Sequence, residues 1–174
     1  MAKPPVNPLP SKSGSGMSYF KALSLMAREY LKADGITLNF QGYTETIIDY
    51  ANMQENDIHT AWRLTKELNA WSEYFASISN LIQKFYLDAE TDKIEIQATA
   101  SIKADAVKVA NGERLSNKDS HVIQARKKRN CLKAFYDELE SKIKFLERGY
   151  YHCKATCDWA NKPIYNNNQS PQAS

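Results

Sequence analysis

The chain has 174 residues, 25% of them charged and 43% hydrophobic, with a mean hydropathy of -0.58. At about 150 residues per domain this is one domain with mass enough for a real core, and its composition excludes both a disordered chain and a membrane-spanning one. The formal net charge of +3 decides little, but residues 17–83 hold five Lys or Arg against eight Asp or Glu, whereas residues 121–154 hold nine against four; the positive field belongs to one late segment.

Proline and glycine set the fold class. All six prolines lie near the ends, at Pro4, Pro5, Pro8, Pro10, Pro163 and Pro171, and the six glycines are too few for folds that turn every 8 to 12 residues. An all-α fold of long amphipathic helices, in a bundle or a coiled assembly, is expected over residues 17–160. Residues 1–16, with four prolines followed by Ser and Gly, read as an extended, flexible arm. Residues 161–174 read as a second, polar arm at the C-terminus. No apolar block follows Lys3, as a signal peptide would require, and no stretch approaches the length of a membrane span. Cys131, Cys153 and Cys157 are an odd set that reads as reduced thiols. The cytoplasm is the expected location.

The first helix is predicted from Met17 to Ala33, with Leu23, Met26, Ala27, Tyr30 and Leu31 on one face and Gly35 at its end. Residues 36–43 read as extended or looped, and Thr44 as the cap of a short helix through Tyr50. A long helix follows from about Asp57. Its apolar residues Ala61, Leu64, Leu68, Trp71, Phe75, Ile78, Ile82 and Phe85 recur in alternating steps of three and four, which is a heptad seam.

From Ile94 to Val109 two periods compete. Ile94, Ile96, Ala98, Ala100, Ile102 and Ala104 alternate like a strand, while Ile94, Ala98, Ile102, Ala106 and Val109 form a helical stripe; the Ala, Lys and Glu content favours helix, ending near Asn111 and Gly112. The last helix, from about Asp119 to Trp159, carries Leu132, Phe135, Leu139, Ile143, Leu146, Tyr150, Cys153 and Cys157 at the same steps. Two such seams, with Leu68, Trp71, Phe75, Ile78, Ile82, Leu139, Ile143 and Leu146 as their main residues, serve either an antiparallel bundle or association between chains. No internal repeat of fixed period is present.

The chemistry of catalysis is missing from this pattern. No glycine-rich loop precedes a Lys and a Ser or Thr, so a phosphate-cradling P-loop is excluded. His152, Cys153 and Cys157 do not share one helical face, as a zinc set would require, and read as two seam thiols beside a surface histidine. His59 and His121 are isolated, and Glu138 and Glu140 read as solvated surface. No enzyme, no cofactor and no metal site is expected.

The basic run carries most physical content. Arg126, Arg129 and Lys133 fall at i, i+3 and i+7, and Lys127 and Lys128 widen the stripe. Such a stripe can track phosphates, and Tyr136, Tyr150 and Tyr151 further along offer faces on which unpaired bases could stack. The competing reading is the wet side of a helix, with structural tyrosines.

The last helix also resembles the UvsY family of tailed-phage recombination mediators. The likeness lies in Phe135-Tyr136 within a Leu/Lys-rich run, Lys144-Phe145-Leu146-Glu147, Arg148-Gly149-Tyr150, His152-Cys153-Lys154 and Asp158-Trp159. Arg148, Gly149, His152, Lys154, Asp158 and Trp159 match the family's Arg-Gly-aromatic, His-apolar-Lys and Asp-Trp steps. The resemblance is best over residues 122–160, with weaker echoes at Trp71-Ser72-Glu73-Tyr74 and Leu87-Asp88-Ala89-Glu90, and it does not reach the first 55 residues. The family's Leu-Lys-Ala-Arg type motif has a partial counterpart in Ile102-Lys103-Ala104-Asp105, where Asp replaces Arg. This departure puts Lys103 in doubt as a DNA contact and turns attention to residues 126–133.

The resemblance implies a homo-oligomeric, non-enzymatic helper of recombination and repair in the host cytoplasm. Such a helper binds single-stranded DNA, contacts the single-strand-binding protein and assists loading of the recombinase filament. The alternative, motivated by the two arms, is a structural or adaptor protein of the phage particle.

Overall fold

The computed structural model describes residues 15–54, 57–103 and 109–160, and every regular element among them is helical. The elements are α1 (Ser15–Leu31), followed by a 3-10 turn (Lys32–Asp34), α2 (Tyr43–Asn52), α3 (Ile58–Lys103), α4 (Val109–Ser116) and α5 (Ser120–Ala160). The N-terminal arm expected over 1–16 gives way to α1 at Ser15; the rest of it, the polar tail from 161 and residues 104–108 lie outside the described residues. Helix wins over strand through Lys103, so Ile94, Ile96, Ala98, Ala100 and Ile102 belong to α3.

The helix ends follow local chemistry. Gly35 closes α1 and its 3-10 turn in the left-handed region at φ 70, and its N–H donates to the Lys32 carbonyl at 3.2 Å. Asp57 caps α3 by accepting the Thr60 N–H at 3.0 Å, and Asp119 caps α5 by accepting the His121 N–H at 2.8 Å. Hydrogen bonds from the Thr60 side chain and backbone hold the Asp57 carboxyl below its ordinary range. The start of α2 corrects an expectation. Thr44 lies inside the helix and exposed, and the cap position belongs to Gly42 at φ 86, a backbone geometry that strains any residue with a Cβ.

The chain divides into two compact units. The first takes Met1–Asn39 and Phe75–Lys142, the second Phe40–Tyr74 and Ile143–Ser174. In the first, α1 packs on α3 and α5 through Phe20, whose ring lies 5.7 Å from Phe75 and 6.2 Å from Phe135, centroid to centroid. The buried stripe of α1 is Phe20, Leu23, Ser24, Ala27 and Leu31. Met26, expected on that face, is 54% exposed, because the stripe turns about Phe20 rather than about Tyr30.

Here α3 and α5 run antiparallel. Ser79 meets Glu140 at 2.7 Å, and eleven residues further along α3, Glu90 meets Arg129, eleven residues earlier in α5. Phe75, Ile78, Ile82 and Ala89 of α3 and Val122, Leu132, Phe135 and Leu139 of α5 are buried. Glu140 is therefore not the solvated residue expected: it accepts the hydroxyl of Ser79, itself 2% exposed.

In the second unit, Tyr43, Ala61, Leu64, Leu68, Leu146 and Cys153 are buried, with Trp71, Ile143 and Tyr150 half-buried. The Trp71 indole donates to Thr46 Oγ1 at 3.2 Å, and Thr46 donates to Glu67 at 3.3 Å. Helices approach closely at Gly149, where an added Cβ would stand 3.2 Å from Leu68 Cδ1 and 3.4 Å from the Tyr50 ring. Six of the eight principal seam residues, Leu68, Phe75, Ile78, Ile82, Leu139 and Leu146, are thus buried within a single chain. Among the described residues no helix is long and apolar enough to cross a membrane.

Candidate nucleic-acid interface

The first half of α5 holds Arg126, Lys127, Lys128, Arg129 and Lys133 within eight residues. At 3.6 residues per turn they cannot all face one way, and the structure separates them by direction. Arg129 turns toward α3, with its Nε buried and 3.9 Å from Glu90 Oε1. Lys128 stands 3.9 Å from Asp92, and Arg126 donates to Asn117 Oδ1 at 2.6 Å. Lys133 pairs with Asp137, one turn on, and lies 5.8 Å from the Tyr86 ring and 5.6 Å from that of Tyr136. The Asp137 hydrogen bond, as the leading cause, raises the Lys133 pKa above its ordinary value. Lys127 is exposed and pairs with no carboxylate among the described residues.

This is a cationic cluster with its inner edge neutralised by α3. The 3.9 Å separation of Lys128 and Asp92, both substantially exposed, is a loose, solvent-screened pair that a phosphate can displace at little cost, whereas Arg129 faces Glu90 with its Nε buried. Glu90 is shared, since Lys93 also approaches it at 3.9 Å and the Tyr86 hydroxyl donates to it at 2.8 Å. Lys103 is exposed at the end of α3 and lines an open groove of about 340 Å3 with Glu95, Ile96, Asp119 and His121. The groove's two carboxylates offset its one lysine.

No family model, no curated protein and no solved structure matches this chain. Three of the residues that carry the likeness in α5 have a packing or hydrogen-bonding role. Gly149 is buried at the close approach, Cys153 is fully buried with its Sγ 3.9 Å from Met53 Sδ, and His152 Nδ1 lies 3.2 Å from the Tyr50 hydroxyl. Burial above all, with Cys157 second, pushes the Cys153 thiol up to about 11. Arg148, Lys154, Asp158 and Trp159 are exposed.

The tyrosines offered as stacking faces part ways. Tyr136 and Tyr150 are half-buried, while Tyr151 is 66% exposed. Sequence reasoning missed Glu90 and Asp92 as partners of the basic run. Their only signal was the group of acids Asp88, Glu90, Asp92 and Glu95 late in α3 against the basic run of α5, which does not specify register.

Proposed function

We propose that this chain is a non-enzymatic, single-stranded-DNA-binding accessory of phage recombination that contacts the single-strand-binding protein and assists loading of the recombinase filament. The observation that carries the reading is the concentration of five cations within eight residues of α5, with Lys127 unpaired among the described residues, Lys128 3.9 Å from the exposed Asp92 and Arg126 bonded to the uncharged Asn117. Phosphate contact of this kind positions a polymer without reading its sequence. The resemblance of α5 to recombination mediators supplies the biological setting.

Association of several copies would multiply weak contacts per chain into tight binding. The surface for it is not the seam, which one chain already buries, but the outward stripe of Leu87, Ile94, Ala98 and Ile102 on α3, where Ile102 is 80% exposed. The test is titration of labelled oligo-dT across a salt series. At about 0.7 counterions released per phosphate, four or five contacts give a log-log slope of roughly -3. Reversal of Arg126, Lys127 and Lys128 to Glu abolishes binding while helicity is kept; a flat salt response, or normal binding by that variant, overturns the reading. Stimulation of recombinase assembly on protein-coated single strands tests the mediator role.

A further inference from the structure

We propose that the exposed ridge Lys144–Arg148–Tyr151–Ala155–Trp159 at the end of α5 is a base-stacking platform for unpaired nucleotides, with the two rings taking bases and the two cations taking phosphates. The proposal rests on the reading of the chain as a single-strand binder and adds to it a contact that the basic run at 126–133 does not make. Successive members are three or four residues apart, so they line one side of the helix. The opposite side is the packed one, with Leu146, Gly149 and Cys153 buried.

Two features distinguish this ridge from an ordinary wet face. Trp159 is 77% exposed and Tyr151 66% exposed, large apolar area left in water by a helix whose other face is fully used. One ring and one cation of the ridge are also held in place. Tyr151 lies edge-on to the half-buried Tyr150, with ring centroids 5.1 Å apart, and Arg148 donates its Nε–H to the Lys144 carbonyl at 3.1 Å. A fixed ring and a fixed cation lose little freedom when a ligand arrives. Aromatic faces interleaved with cations suit single strands of any sequence, because every base has a π-face and every nucleotide a phosphate, whereas a duplex hides its base faces. Glu147 and Asp158 sit on the flank of the ridge rather than along it, where they restrain its net charge.

The experiment compares oligo-dT, an abasic oligonucleotide of equal length and a duplex, for the wild-type chain and for Tyr151→Ala/Trp159→Ala, with Trp159→Phe as the conservative variant. All three substitutions are at exposed positions, and circular dichroism checks that helix content is unchanged. The wild type should bind oligo-dT roughly tenfold or more tightly than the abasic strand, the scale of a lost stacking contact. That preference should vanish in the double-alanine variant. Trp159→Phe should keep the affinity and lose the quenching of tryptophan emission on binding. If the wild type binds oligo-dT while the double variant binds it equally well, the platform is overturned and the proposed function stands. If the wild type ignores oligo-dT even at low salt, both fall. Emission that shifts with protein concentration in the absence of DNA, and that Trp159→Phe no longer shows, would assign the ridge to contact between copies and overturn the platform.

Discussion

Gly149 lies against Leu68 so closely that one added carbon would stand 3.2 Å from the Leu68 Cδ1 methyl. The glycine sits inside a 41-residue helix, where it costs about 1 kcal/mol relative to alanine. A glycine suits the position because Leu68, whose methyl is the nearest atom, is fully buried, with the half-buried Tyr50 ring on the other side. Gly149→Ala should therefore destabilise by about 1 kcal/mol despite its better helix propensity, an overpacking cost of roughly 1–3 kcal/mol outweighing the gain. Chemical denaturation measures it, and Leu68→Ala in the same chain should recover part of the loss. An alanine variant more stable than the wild type would show that the contact has slack.

The aromatic trio of the first unit should be the costliest place to cut. Phe20, Phe75 and Phe135 are all buried, the last two completely. Phe135→Ala should cost about 3–5 kcal/mol, and Phe135→Leu much less, as read from denaturation midpoints.

Ser79 and Glu140 form a hydrogen bond between positions 61 residues apart in the chain. The hydroxyl is buried and the acceptor is a carboxylate, so the bond belongs to the stronger class. Ser79→Ala should cost about 1.5–3 kcal/mol. Ser79→Ala combined with Glu140→Gln should cost less than the two single changes added together, and strict additivity would mean that the pair is not coupled.

The buried thiols predict an alkaline limit. Burial raises the Cys153 thiol from its ordinary value of 9.0 to about 11, and it also raises Cys131 and Tyr50. Each of these groups keeps its proton longer folded than unfolded; for Cys153 the contribution to stability is complete below about pH 9 and disappears as pH climbs to about 11. The denaturation midpoint should fall over that window, and Cys153→Ala should flatten the fall. At neutral pH, a thiol reagent should label the half-buried Cys157 before Cys153 or Cys131.

The acidic edge of the basic cluster restrains it. Glu90→Gln with Asp92→Asn removes the carboxylates facing Arg129 and Lys128. Stability should drop by less than about 1 kcal/mol, since the pairs are half-exposed, while affinity for oligo-dT at low salt should rise several-fold. An unchanged affinity would mean that Arg129 and Lys128 stay turned to α3 and never meet phosphate.

Much of the fold was written in the sequence by itself. A chain without proline from residue 11 to 162, with apolar steps of three and four, can bury those residues only as helix, and Leu68, Phe75, Ile82, Leu132, Leu139 and Leu146 are buried accordingly. Such periodicity is local, readable within a few turns of a single helix. What only the tertiary structure decided is what stands opposite what. In the first unit the register of α3 on α5 places Glu90 beside Arg129 and Ser79 beside Glu140; in the second, α5 comes close to Leu68 at Gly149. The packing also leaves Met26 and Ile102 in solvent, although their spacing alone would have suited them to a core. A helix determines its own faces through its pitch; the partner helix, packed from far along the chain, determines which face is covered.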